Sequence, residues 1–208
     1  MAVRRLHRGT IIIAILFLSA LLSSDTPLRK PIVIVALGDS VTYGACVEPD
    51  DSYVSKLQQM LGDGYQVINE GVPGERSWNA LSRLDAVLAH EPDILIIFYG
   101  TMDVKYVRGG AYTWKDFKEA ITSLASSAPE AILVTPHRGT DNPRTNYFLG
   151  DVDYAAQLIR EMGYPVVDVN TLCCTPDQMC DYAHPNEEGH EVIAQAIFAA
   201  LNDAALDK

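Results

Sequence analysis

Apolar residues along this chain fall into two alternating rhythms. Residues 32–37 (Ile-Val-Ile-Val-Ala-Leu) form a nearly continuous aliphatic run ending at Gly38, the pattern of a strand buried on both faces. Residues 51–61 instead place Tyr53, Val54, Leu57, Met60 and Leu61 on one helical face, closed by Gly62. A second strand is predicted over 65–68, and a helix over 75–89 with Trp78, Leu81, Leu84, Val87 and Leu88 inward. Residues 93–99, holding Ile94-Leu95-Ile96-Ile97-Phe98, read as the plainest central strand. The unit repeats as helix 114–126 with strand 131–135, then helix 152–162 with strand 165–169, and a last helix spans 187–201. Five strands alternating with helices predict a three-layer α/β/α sandwich with a mainly parallel sheet, since parallel neighbours need crossover connections. In such sheets ligands gather at the carboxyl ends of the strands. The loops after Leu37, Ile68, Tyr99, Thr135 and Val169 therefore become the ones to search.

Residues 1–24 break this pattern. Three arginines within 1–8 precede thirteen uncharged residues, 10–22, the order of a secretory signal. The uncharged stretch is short for a membrane span, which needs roughly 17–25 residues. No clean small-x-small cleavage site falls within 19–25, so an uncleaved anchor stays open beside a cleaved signal. Residues 25–31 read as a linker and 32–208 as one domain. Charge sharpens the division: 31–208 carries 11 basic and 26 acidic side chains, a net of −15. A domain so acidic does not track a phosphate backbone, which argues against nucleic acid as a partner.

The four cysteines, Cys46, Cys173, Cys174 and Cys180, suggest disulfides in an exported protein. Of the three possible pairings, the one that joins the neighbours Cys173 and Cys174 carries strain, whereas Cys180 with either of them closes a short loop. No histidine is spaced to complete a metal site with this cluster.

Gly38-Asp39-Ser40 is a glycine turn directly after a buried strand, able to present a serine hydroxyl at the sheet edge. A serine hydroxyl is a poor nucleophile unless a base takes its proton. Of the five histidines, only His184 has a carboxylate three residues before it, in Asp181-Tyr182-Ala183-His184. That spacing lets Asp181 hold one ring nitrogen while the other faces the serine.

Four segments carry a family resemblance. Leu37-Gly38-Asp39-Ser40-Val41-Thr42-Tyr43-Gly44 resembles the first block of the GDSL, or SGNH, hydrolases, and Asp181-Tyr182-Ala183-His184-Pro185-Asn186 resembles the last. Asn69-Glu70-Gly71-Val72-Pro73-Gly74 is similar to the second block, and Tyr99-Gly100-Thr101-Met102-Asp103-Val104 stands where the third, Gly-x-Asn-Asp, belongs. The resemblance implies a flavodoxin-like sheet of order 2-1-3-4-5 and ester hydrolysis through an acyl-enzyme, with no metal or organic cofactor. Ser40 is then the nucleophile, His184 the general base and acid, and Asp181 its orienter, with the N–H groups of Ser40 and Gly74 as oxyanion donors.

One residue departs from the pattern. The family's third oxyanion donor is the asparagine of the third block, and this chain has Met102 there. A thioether donates no hydrogen bond. Three outcomes compete: catalysis with two backbone donors, a substitute donor among Thr101, Asn79 and His137, or a domain that has kept its pocket as a non-catalytic carbohydrate- or lipid-binding module. Arg138 and Arg144 are further candidates, for meeting an anionic substrate group at the mouth. A bond from Cys46 to the cysteine cluster would pin the two catalytic loops together. The substrate expected is a small-molecule, surface-glycan or lipid ester, with short acyl groups favoured and any membrane contact made through the N-terminal segment.

Overall fold

A computed structural model describes residues 30–206 apart from 143, 145 and 146, with 203–206 described by backbone only. The export segment predicted over 1–24, and the linker up to residue 29, lie outside the described residues. Among those described, no helix is long and apolar enough to cross a membrane.

The aliphatic runs form strands, as expected. β1 (Ile32–Gly38), β2 (Tyr65–Gly71), β3 (Ile94–Phe98), β4 (Glu130–Val134) and β5 (Val166–Val167) make one parallel sheet in the order β2-β1-β3-β4-β5. Alternation along each strand divides the core. Val33, Val35, Leu37, Leu95, Ile97 and Leu133 point to one face, and Ile34, Ala36, Ile96, Phe98, Ile132 and Val134 to the other. The first set packs under α6 (Trp114–Ala125) and α7 (Leu149–Arg160) through Phe117, Ile121, Leu124, Val152, Ala155 and Ile159. The second packs under α2 (Tyr53–Leu61) and α9 (Glu187–Leu206) through Tyr53, Leu57, Ile193 and Ile197. Each such aliphatic or aromatic side chain contributes roughly 1.5–3 kcal/mol by leaving water, which is why the two central strands hold no charge.

Three elements differ from the sequence reading, each for a local reason. β5 is two residues long because Asp168 turns the chain into the short α8 (Val169–Leu172), its carboxylate bonded by Thr135 Oγ1 at 3.0 Å and by Arg160. Pro165 extends the pairing only by its carbonyl, which accepts the Leu133 N–H at 2.9 Å. The predicted helix 75–89 is broken into α3 (Ser77–Ala80), a 3₁₀ turn (Leu81–Arg83) and α4 (Leu84–Leu88). The Ser82 hydroxyl donates to the Asn79 carbonyl at 2.8 Å and competes there with the helical ladder. A helix absent from the sequence reading, α5 (Thr101–Arg108), follows β3.

His190 joins α9 to α2. It is buried, its Nδ1 accepts the Tyr53 N–H at 3.1 Å, and the two rings stack at 12°. This bond satisfies a first-turn N–H that the helix itself leaves orphaned. Burial, with His137 and Lys56 nearby, lowers the His190 pKa from 6.5 to about 4, so the neutral ring is the native form. The unfolded chain thus binds a proton that the folded one refuses between those values, and the ring's contribution is lost as pH falls from 6.5 to about 4. We predict that His190→Asn, whose amide oxygen can still accept from Tyr53, destabilises the protein at pH 7.5. Denaturant titrations should show that deficit shrinking as pH falls through this window; a constant deficit would refute the neutral buried ring.

Candidate active site

The turn out of β1 builds the site. A Cβ at Gly38 would collide with the Thr42 side chain and lie 2.7 Å from the Phe98 carbonyl, so the strand ends on glycine. Asp39 then caps α1 (Ser40–Tyr43), its Oδ1 accepting the Val41 N–H at 3.0 Å, and Gly44 closes the turn at φ +91°. Ser40 is therefore the first residue of a one-turn helix, with no protein acceptor on its N–H among the described residues.

The structure brings Ser40, His184 and Asp181 together. Ser40 Oγ lies 2.9 Å from His184 Nε2, and His184 Nδ1 lies 2.9 Å from Asp181 Oδ2. The Asp181 Oδ1 accepts the N–H groups of Ala183 and His184, both at 2.8 Å. A carboxylate only accepts, so Nδ1 carries the ring proton and Nε2 is left to accept from the serine. Partial burial pulls the Asp181 pKa up, but the His184 bond and the two backbone bonds outweigh it and hold the carboxyl below its ordinary range. The loop is closed by the Cys180 N–H to the His184 carbonyl at 2.9 Å.

The segment after β4 supports this loop from beneath. His137 Nε2 donates to the Ala183 carbonyl at 2.8 Å, and the Thr140 N–H donates to the Tyr182 carbonyl at 3.0 Å. His137 is fully buried, and that burial lowers its pKa to about 4, so the ring is neutral. Its one N–H is committed to Ala183 and its Nδ1 carries no proton, which removes His137 from the substitute oxyanion donors. Asn79 is exposed, with its amide oxygen accepting from Arg76 at 2.9 Å, and Thr101 is buried at the start of α5. Arg138 pairs with Asp153 at 3.2 Å on the surface, and Arg144 is exposed.

Gly74 stands in a turn closed by the Glu75 N–H to the Val72 carbonyl at 3.1 Å, and Val72 itself donates to the Gly38 carbonyl at 3.0 Å. Its φ is +79°, a value that favours glycine, and its N–H has no protein acceptor among the described residues. Met102 is the second residue of α5 and half-buried. Two buried carboxyls escaped the sequence reading. Burial pushes Asp39 up to about 7, aided by nearby Asp103, against the Val41 bond. Asp103 rises to about 6, again through burial, against bonds from the Ser77 hydroxyl at 2.7 Å and N–H at 3.1 Å. Its place in the third block was the signal that could have marked it.

A groove of about 870 Å³ among α3, α6 and α7 is lined by Trp78, Trp114 and Tyr154 and by none of Ser40, Gly74, Asp181 or His184. Among the described residues no three His, Cys, Asp or Glu side chains are disposed to hold a metal ion.

The sequence model of the GDSL-like Lipase/Acylhydrolase family matches residues 36–192, and the chain belongs to that family. An acetylxylan esterase of Xylanibacter ruminicola is 25% identical over 86% of this chain and 45% of its own length. Esterase TesA of Pseudomonas aeruginosa is 31% identical over 31% of this chain and 33% of its own. The match thus spans less than half of either curated relative. Among solved structures, a lipase/acylhydrolase from Enterococcus faecalis superposes with a TM-score of 0.72 at 26% identity, covering 83% of this chain and 96% of the other. The acetyl xylan esterase AlAXEase shares the fold with a TM-score of 0.68 at 22% identity, covering 81% and 99%.

The cysteines pair as Cys46–Cys180 and Cys173–Cys174, so the neighbours are bonded to each other after all. Cys46–Cys180 ties the segment after Ser40 to the residue before Asp181 across 134 positions. Closing a loop that long is worth about 2–5 kcal/mol, by restricting the unfolded chain. Replacing both Cys46 and Cys180 with alanine should lower the unfolding free energy by about that amount. Thiol titration of the unreduced, denatured protein should find no free thiol; four would refute both bonds.

Proposed function

We propose that this chain is a serine ester hydrolase that removes short acyl groups, acetyl foremost, from carbohydrate. The observation that carries the reading is the relay from Ser40 Oγ through both nitrogens of His184 to Asp181, with each step 2.9 Å long. In this mechanism Ser40 Oγ attacks the ester carbonyl as its proton passes to His184 Nε2. The ionised Asp181 stabilises the imidazolium that results. The tetrahedral oxyanion is met by the N–H groups of Ser40 and Gly74. As the carbon–oxygen bond breaks, His184 returns the proton to the leaving alcohol. Water then attacks the acyl-enzyme with His184 as base, releasing the acid and restoring Ser40.

That the Xylanibacter relative is an acetylxylan esterase, and the solved AlAXEase an acetyl xylan esterase, supports acetylated carbohydrate as the substrate class. Two disulfides support a place outside the reducing cytoplasm, with residues 1–24 as export signal or anchor and the only membrane contact. Met102 favours one rival, a carbohydrate- or lipid-binding module that has lost turnover, because loss of an oxyanion donor costs on the order of 10²–10³ in rate.

Hydrolysis of p-nitrophenyl acetate and butyrate separates the two. We predict that the acetate is preferred and that Ser40→Ala lowers kcat/KM by on the order of 10³-fold or more. Equal rates for the two proteins would sink the hydrolase reading and leave the binding module. We further predict that Met102→Asn raises kcat, by up to about 10²-fold. A flat rate would mean that another group already fills the donor's place or that the oxyanion points elsewhere.

A further inference from the structure

Glu75 directly follows Gly74, yet its side chain is 7% exposed. Its carboxylate accepts the Tyr99 hydroxyl at 2.5 Å, and Arg83 grips it through Nε at 2.9 and 3.2 Å and Nη2 at 2.7 Å. Arg83 also donates to the Glu70 carboxylate from Nη1 and to the Glu70 carbonyl from Nη2, both at 2.8 Å. Burial, then the Glu75 carboxylate, push the Tyr99 phenol far above its ordinary value, so the hydroxyl stays a donor.

These partners have a meaningful placement. Glu70 belongs to β2, and Tyr99 follows β3 immediately; those are the two neighbours of β1 in the sheet. The turn is fixed on its other side by the Val72 N–H on the Gly38 carbonyl, two residues before Ser40. Gly74 has no packing of its own: it is exposed, and a Cβ there would meet nothing within 4 Å. The direction of its N–H is therefore set from Val72 and Glu75, and the charge-assisted contacts are all on the Glu75 side.

We propose that Glu75, held by Arg83 and Tyr99, is a positioning residue that aims the Gly74 N–H at the oxyanion. This rests on the ester-hydrolase reading above. With Met102 where the family has a side-chain donor, the aim of the remaining backbone donors weighs more heavily on the rate.

The test compares wild type, Glu75→Gln, Tyr99→Phe and a core control, Leu57→Ala, in hydrolysis of p-nitrophenyl acetate, thermal unfolding and inhibition by phenylboronic acid. The boronic acid forms a tetrahedral adduct on the serine and reports the oxyanion site directly. Glu75→Gln should lower kcat by ~10-fold and Tyr99→Phe by ~3-fold, with KM within about twofold and boronate affinity weakened by the same factors as kcat. Leu57→Ala should lower Tm and leave kcat and boronate affinity unchanged. The proposal is overturned if the Glu75 and Tyr99 variants lose Tm alone while kcat and boronate affinity hold. Should Glu75→Gln not fold, Tyr99→Phe, which removes a single oxygen, decides alone. A Ser40→Ala protein as active as wild type would instead overturn the hydrolase reading beneath it, so the two failures are distinguishable.

Discussion

The architecture of the site depends on how closely the backbone packs at Gly38. Three elements meet there with no room for a side chain: the Thr42 side chain above, the Phe98 carbonyl beside it, and the strand itself. Because β1 can run into that corner, α1 starts two residues later and Ser40 stands at the carboxyl edge of the sheet. The same residue's carbonyl accepts the Val72 N–H, which sets the Gly74 turn by reference to the strand that leads into Ser40. A Cβ at this one position would displace the helix that carries the serine, the end of β3 and, through them, the Gly74 turn. A second close approach repeats the logic, since a Cβ at Gly71 would run into the backbone of Tyr43.

Around this corner the protein places ionisable groups whose environments separate them by role. Asp181 is held below the ordinary carboxylate range by three hydrogen bonds and remains charged beside His184. Asp39 and Asp103 are buried and pushed up to about 7 and about 6; one Asp39 oxygen accepts the Val41 N–H, and Asp103 accepts from the Ser77 hydroxyl and N–H. His137 and His190 are kept neutral by burial and serve as fixed hydrogen-bonding groups. Burying such groups costs stability. What the fold gains is a strongly ionised carboxylate in contact with His184, which reaches the serine.

Much of this was legible in the sequence because it follows from local pattern. The aliphatic runs at 32–37 and 93–99 specified buried parallel strands, and their ends specified the loops that carry Ser40 and Met102. The Asp181–His184 spacing alone brought a carboxylate to the right nitrogen. What stayed hidden depends on contacts far apart in the chain. The break within 75–89 comes from the Ser82 hydroxyl and from side chains engaged with β2 and β3, so helical periodicity continued straight through it. The short β5 reflects Asp168 and its partner Arg160, eight residues away. The Cys173–Cys174 bond ran against local reasoning, which counted the strain of joining neighbours, whereas the bond from Cys46 to the cysteine cluster had been raised without a partner fixed. Only the fold reveals that Cys46 and Cys180, 134 positions apart, lie with Cα atoms 6.5 Å from each other.

The substitution at Met102 changes what this kind of site relies on. A side-chain donor carries its own rotamer and is positioned by the packing around it. A backbone donor points wherever its turn points, so its accuracy belongs to the whole loop. With methionine in the third block, the proposed donors that remain are the N–H of Ser40, fixed by the helix cap at Asp39, and that of Gly74, at the exposed tip of a turn. The first is locked by a buried carboxyl, and the second has only the residues on either side of it. The dense bonding at Glu75 and the Gly38–Val72 bond therefore fall where such a site most needs rigidity, and they bind that exposed tip to all three strands around Ser40.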